Sequence, residues 1–313
     1  MRQEGSDPII LDAGDLFFTT PDLHDSNRVS EKYRASVILM GYEQIGCDAI
    51  NVGQYEFGGG EQFLIETAST TQIPFISANL INTQTNQLLF NPYIIIEREG
   101  LKIGVIGLTN LLPKTIKNIR ADDYITVGKS MIKKIKDKVD IIVMLVNANR
   151  TDQNTLTKEF KEANLIFTSG SKMMTRPMMT QVESGPFLFS SGREGRYLNQ
   201  VNLFLEDKET SWINKSYFLE RIKFLKRRID RYKDKNPEMS LEELYRDQPG
   251  VLNAIRKSKA EIERMRSGLA IAENWIEFQN VPLDASIQDD PAMFSFILDA
   301  LVKCSELKVA NSP

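Results

Sequence analysis

Four short apolar runs, each ending abruptly at glycine or polar residues, restrict what this chain can fold into. They are Ile9-Ile10-Leu11 before Asp12-Ala13-Gly14-Asp15, Ala49-Ile50-Asn51-Val52 before Gly53-Gln54-Tyr55-Glu56, Ile141 to Val146 before Asn147-Ala148-Asn149, and Leu165-Ile166-Phe167-Thr168 before Ser169-Gly170-Ser171-Lys172. Runs of this length, rich in β-branched residues, read as buried strands, and the polar loops that follow them are where chemistry gathers. Further strands are predicted at 75–78, 94–97, 103–108, 187–190 and 201–205. Helical spacing returns between them: Val29, Tyr33, Val37 and Met40 share one face, as do Ile132, Ile135 and Val139. Such alternation predicts an α/β layered core.

The chain's 313 residues allow one large core or two units, and the apolar share of 42% with a net charge of −3 suits an ordinary globular protein. An isoelectric point near 5.5 gives no basis for a nucleic-acid footprint or a polybasic membrane patch. No apolar run approaches the ~18 residues of a spanning helix, so no membrane insertion by this chain is expected. Of the two cysteines, Cys47 reads as a small buried residue, and a bridge to Cys304 requires the C-terminal helix to lie near the first strands. Neither precedes a haem-attachment signature. The one histidine, His24, lies in the polar stretch Pro21 to Ser26 and is expected on a surface loop rather than in a catalytic triad.

After Leu205 the pattern changes. Leu219, Ile222, Leu225, Ile229 and Tyr232 mark one helical face, Pro237 ends it, and Ser240-Leu241-Glu242-Glu243 reads as a capping box. Beyond Pro249-Gly250 a second stripe runs through Leu252, Ile255, Ile262, Met265 and Leu269, predicting an antiparallel helical hairpin. Its cluster Lys223, Lys226, Arg227, Arg228 and Arg231 is interleaved with Glu220, Asp230 and Asp234, and a solvated face is the simplest reading. A last helix starts at Pro291 with Met293, Phe294, Ile297, Leu301 and Val302 as its expected buried face. Gly58-Gly59-Gly60 lacks the Lys-Ser/Thr end of a phosphate loop.

The order of the four loops, with Pro74 to Leu80, Gly100 to Thr109 and Ser191 to Leu198 between and after them, resembles the calcineurin-like metallophosphoesterases, in particular their bacterial 5′-nucleotidase branch, over about residues 8 to 206. The resemblance implies a four-layer α/β/β/α sandwich of two mixed sheets over residues 1–211, without its first strand and Asp-x-His motif, followed by a helical hairpin and C-terminal helix over 212–313. Asp15 stands where the family keeps its metal-bridging carboxylate. Gln54-Tyr55 replaces an Asn-His pair, Asn147 replaces the third-loop histidine, and Gly170 and Lys172 replace the two fourth-loop histidines. Glu56 and Asn149 complete the vestigial set.

Divalent transition metals need several imidazole and carboxylate donors, and two-metal hydrolysis needs both ions to activate water and clamp the departing oxygen. The expectation is therefore no metal, no cofactor and no catalytic residue, with the ammonium of Lys172 paired to Asp15 in the metals' stead. Three functions are weighed: an inactive phosphoesterase-like module that binds or supports other modules of the same full-length protein or an envelope partner; a residual nucleotide hydrolase with one weakly held divalent cation; and an anion-binding module using Lys172, Arg150 and Arg193. Dimerisation through residues 212–273 is a further role open to the hairpin. No targeting segment is visible, and the family's habit together with a start that omits the first motif suggests a periplasmic or envelope protein whose leader has been removed.

Overall fold

The computed structural model describes residues 5–179, 181, 185–192, 195–207 and 210–310. In chain order the elements are β1 (Leu11–Asp12), α1 (Arg28–Ile45), β2 (Ala49–Asn51), α2 (Glu61–Ser69), β3 (Phe75–Ile76), β4 (Leu80–Asn82), β5 (Tyr93–Arg98), β6 (Leu101–Thr109), β7 (Ile119–Ala121), α3 (Tyr124–Ile135), β8 (Ile141–Asn147), α4 (Arg150–Glu159), β9 (Leu165–Ser169), β10 (Phe187–Phe189), β11 (Tyr197–Phe204), β12 (Trp212–Asn214), α5 (Lys215–Lys233), α6 (Leu241–Leu244), α7 (Pro249–Ala270), β13 (Asn274–Pro282) and α8 (Pro291–Ala310).

They form two compact units. The first comprises residues 1–174, 182–197 and 282–313, and the second 175–181 and 198–281. The boundary expected at 211 thus falls earlier, because β11 pairs with β13 instead of the first unit's sheets, and α8, expected beside the hairpin, belongs to the first unit.

The first unit is α/β. Its largest sheet is mixed, in the order β10-β9-β8-β6-β5, with only the β5–β6 pair antiparallel. A second sheet, β1-β2-β3, is parallel throughout its described strands, and β4 and β7 form an antiparallel ribbon. β8 is buried along its whole length, so its run Ile141 to Val146 carries no polar alternation. One core joins Ile106, Leu108, Met144, Val146 and Ile166 to Ile132, Ile135, Leu156 and Phe160 of the covering segments. Another gathers Phe17, Phe18, Leu39, Ile50, Phe57, Leu64 and Phe75. Each fully buried side chain of this size contributes roughly 1.5–3 kcal/mol.

The second unit holds the sheet β11-β13-β12 and the hairpin. Ile222 and Leu225 of α5 interlock with Ile262 and Met265 of α7, and Tyr245, Leu241 and Ile255 close the far end. Ser240 and Glu243 form the reciprocal capping box at the start of α6. The expected stripe holds apart from Leu219, which is 43% exposed.

Two faces are placed differently from the sequence reading. In α1 the buried side chains are Ser30, Ala35, Val37 and Leu39, while Val29 and Met40 are exposed. In α8 the inward row is Met293, Phe296, Ala300, Cys304 and Leu307, leaving Phe294, Ile297, Leu301 and Val302 exposed. The two helices meet where the Ser30 hydroxyl donates to the Cys304 carbonyl, so small residues lie at the close approach and larger apolar ones outside it. Both cysteines are free.

Candidate functional site

The loop cluster is built on a backbone conformation that its sequence makes affordable at two glycines. Gly14 has φ +101°, and a Cβ there would lie 2.8 Å from the Gly53 nitrogen. A Cβ on Gly53 would in turn lie 2.6 Å from the Asp15 nitrogen. The loops after β1 and β2 therefore touch backbone to backbone, and Asp15 itself sits in the left-handed region at φ +67°, a conformation that costs a non-glycine residue of order 1 kcal/mol or more and persists where surrounding bonds enforce it.

Glu56 enforces it. Its side chain is fully buried, and its two carboxylate oxygens accept N–H bonds from Gly53 at 2.6 Å, Asp15 at 2.9 Å, Leu16 at 2.5 Å and Phe17 at 3.3 Å. One side chain thereby satisfies four backbone donors on two loops, which would otherwise be buried without partners.

Asp15 is enclosed in the same way. Oδ1 accepts the Tyr55 N–H at 3.0 Å, and Oδ2 accepts the Asn147 amide at 2.9 Å. The N–H groups of Gln54 and Gly170 add further stabilisation of its charge. Asn147, at the end of β8, also donates to the Ser169 hydroxyl at 2.7 Å and accepts the Gln54 N–H at 3.2 Å; the Ser169 hydroxyl in turn donates to the Ala13 carbonyl. The structure thus brings Asp15, Gln54, Tyr55, Glu56 and Asn147 into one hydrogen-bonded cluster.

Of the remaining sequence candidates, Gly170 reaches that network through its backbone N–H, and the other described ones lie outside it. Asn149 is exposed and caps α4, its Oδ1 accepting the Asp152 N–H. Arg150 is exposed in the first turn of that helix. Gly170 has φ +83°, and a Cβ on it would meet the Ala148 carbonyl at 2.7 Å and Leu111 Cδ1 at 2.8 Å, so the position is closed to any side chain. Arg193 lies outside the described residues. The expected Asp15–Lys172 pair is not formed: Lys172 is exposed, and among the described residues no ion pair involves Asp15. Neutral N–H donors and the Asn147 amide take the place of a cation beside the carboxylate and offset part of the cost of its burial.

Sequence reading passed over Asp12. Its Oδ1 accepts the Gly14 N–H and its Oδ2 the Tyr42 hydroxyl, at 2.7 and 2.9 Å. Burial pushes its pKa up to about 6. Burial also raises Asp15, and burial with the nearby Asp15 charge holds Glu56 well above the usual carboxylate range. The available signal was an acidic residue ending an apolar strand, with a tyrosine one helix later. Among the described residues, no three His, Cys, Asp or Glu side chains group so as to hold a metal ion.

No family profile matches the chain. It is 29% identical over 155 residues to a 5′-nucleotidase of Vibrio cholerae, a match covering 47% of this chain and 27% of that relative. It is 24% identical over 282 residues to the trifunctional nucleotide phosphoesterase protein YfkN of Bacillus subtilis, covering 77% of this chain and 18% of that protein. The matches therefore cover less than a third of the length of these relatives. The solved calcineurin-like phosphoesterase YfkN of Bacillus subtilis superposes over 96% of this chain and 84% of its own, with a TM-score of 0.58 at 15% identity.

Proposed function

From a chain that has the calcineurin-like metallophosphoesterase fold and 5′-nucleotidase relatives, we propose that its first unit is a non-catalytic module that binds or supports other parts of a larger cell-envelope protein. The observation that carries this reading is the enclosure of Asp15. A bridging carboxylate has to direct its lone pairs at two ions, and here they accept the Tyr55 N–H and the Asn147 amide. The donors around it are amides and hydroxyls, which suit first-row transition metals poorly, and Gly170 has no room for an imidazole. The family's metals do not fit this donor set, and no hydrolytic step is derived through them.

The test is an assay of the purified chain on an aryl phosphodiester and on AMP with manganese, cobalt or zinc supplied in turn, alongside elemental analysis. The expected result is no turnover above blank and no stoichiometric metal. Turnover that follows bound metal overturns the reading. The envelope assignment is tested separately, by fractionating cells that express the full-length gene; a cytoplasmic product refutes it.

A further inference from the structure

We propose that one flank of the α5–α7 hairpin is a peripheral docking surface for an anionic lipid headgroup layer. Charge in this chain is segregated. Residues 215–270 carry 15 Lys and Arg against 9 Asp and Glu, a net +6, which leaves −9 for the rest of a chain whose total is −3. The acidic whole-chain balance hid this, because it averages two regions of opposite sign.

The cations are ordered. Arg221, Phe224, Arg228 and Arg231 recur at spacings of three, four and three, one stripe of α5; Lys257, Glu261 and Arg264 recur at four and three on α7. The Arg221–Glu261 ion pair at 2.8 Å joins the two stripes into a single flank. Arg228, Arg231, Lys257 and Arg264 have no ion-pair partner among the described residues, and all but the half-buried Arg228 are exposed. Phe224 lies among them, 40% exposed, with the Arg221 guanidinium 5.5 Å from its ring centre. Glu220, which pairs with Lys223, and Glu261 are the acidic groups bordering the flank.

Phosphate is the complement of such a surface, since guanidinium groups meet its oxygens in paired hydrogen bonds. A lipid layer fits better than a nucleic acid. An exposed phenyl ring among cations suits the boundary between headgroups and acyl chains, where cations gain from the surface potential and the ring from burial. No helix among the described residues is long and apolar enough to cross a membrane, and this docking needs none.

The experiment is cosedimentation of the full chain with vesicles of phosphatidylcholine alone, or of phosphatidylcholine and phosphatidylglycerol in equal parts, across a salt series. Binding is expected to the anionic vesicles only and to weaken as salt rises. Arg228, Arg231, Lys257 and Arg264 exchanged together for Gln should weaken it by on the order of 1,000-fold, since each of the four cations near such a surface is worth about 1 kcal/mol, or about fivefold. Far-UV circular dichroism should be unchanged. Lys226→Gln with Lys233→Gln, on the opposite flank of α5, should have a much smaller effect. Phe224→Ala should weaken the salt-resistant part of binding. No binding to anionic vesicles, equal effects from the two sets of Gln exchanges, or tighter binding of poly(U) RNA than of vesicles at matched salt would each overturn the proposal.

Discussion

The loop cluster of the first unit and the hairpin of the second handle charge in opposite ways. Around Asp12, Asp15 and Glu56 three carboxylates are taken out of water and met by N–H, amide and hydroxyl donors of the same chain. On the hairpin, apolar residues hold the helices together and the cations stand outside with few partners. Buried charge fixes the local backbone and leaves little capacity for a ligand, whereas unengaged surface charge contributes little to folding and remains available for binding.

The largest effect should come from removing the clasp. Glu56→Ala strands four backbone N–H groups, and at about 1–3 kcal/mol for each unsatisfied group the loss should be roughly 4 kcal/mol or more, read by urea denaturation. A variant as stable as the parent would show that the loops find other acceptors. Next comes Ile262→Ala in the hairpin core, expected to cost roughly 2–4 kcal/mol. The comparison requires this loss to appear as early hydrogen exchange in α5 and α7 with protection of β8 retained; uniform deprotection contradicts it.

A subtler effect depends on pH. Asp12 is raised from 3.8 to about 6 in the folded chain, so the folded state holds a proton that the unfolded state has released between those values. Its stability contribution is complete below the unfolded pKa and is lost as pH climbs to about 6. Asp12→Asn keeps the Oδ1 acceptor for the Gly14 N–H, turns the second contact round so that Nδ2 donates to the Tyr42 oxygen, and escapes this loss. Its advantage in melting temperature should be absent near pH 4, grow up to about pH 6 and level off above; an advantage constant with pH refutes the burial argument. The smallest expected change is Arg221→Gln, whose partly exposed pair with Glu261 should contribute less than about 1 kcal/mol in the same denaturation assay.

The sequence made the α/β character plain because β8 and β6 are so apolar that nothing but burial suits them. β13 was less visible, although Asn274, Ile276 and Phe278 alternate inward at period two, because a glutamate, a glutamine and two asparagines dilute the pattern. α8 misled because it is apolar on both sides, so periodicity cannot say which row faces in; the Ser30–Cys304 contact decides it. The cluster was half legible. Residue types at Asp15, Gln54 and Asn147 indicated a depleted donor set, but which groups satisfy Asp15 depends on backbone N–H directions that no side-chain pattern encodes. Lys172 illustrates the error: a formal charge was sought to balance a carboxylate that oriented dipoles already stabilise.

The shape of the chain at Gly170 carries a consequence for anyone wishing to rebuild chemistry here. Grafting a histidine onto that spot asks a left-handed residue to accept a bulky substituent against a neighbouring carbonyl and Leu111. Point replacement of lost ligands is therefore the wrong strategy, and a transplant of the backbone that leaves β9, Ser169 to Lys172, is the smallest unit of design that removes the obstacle.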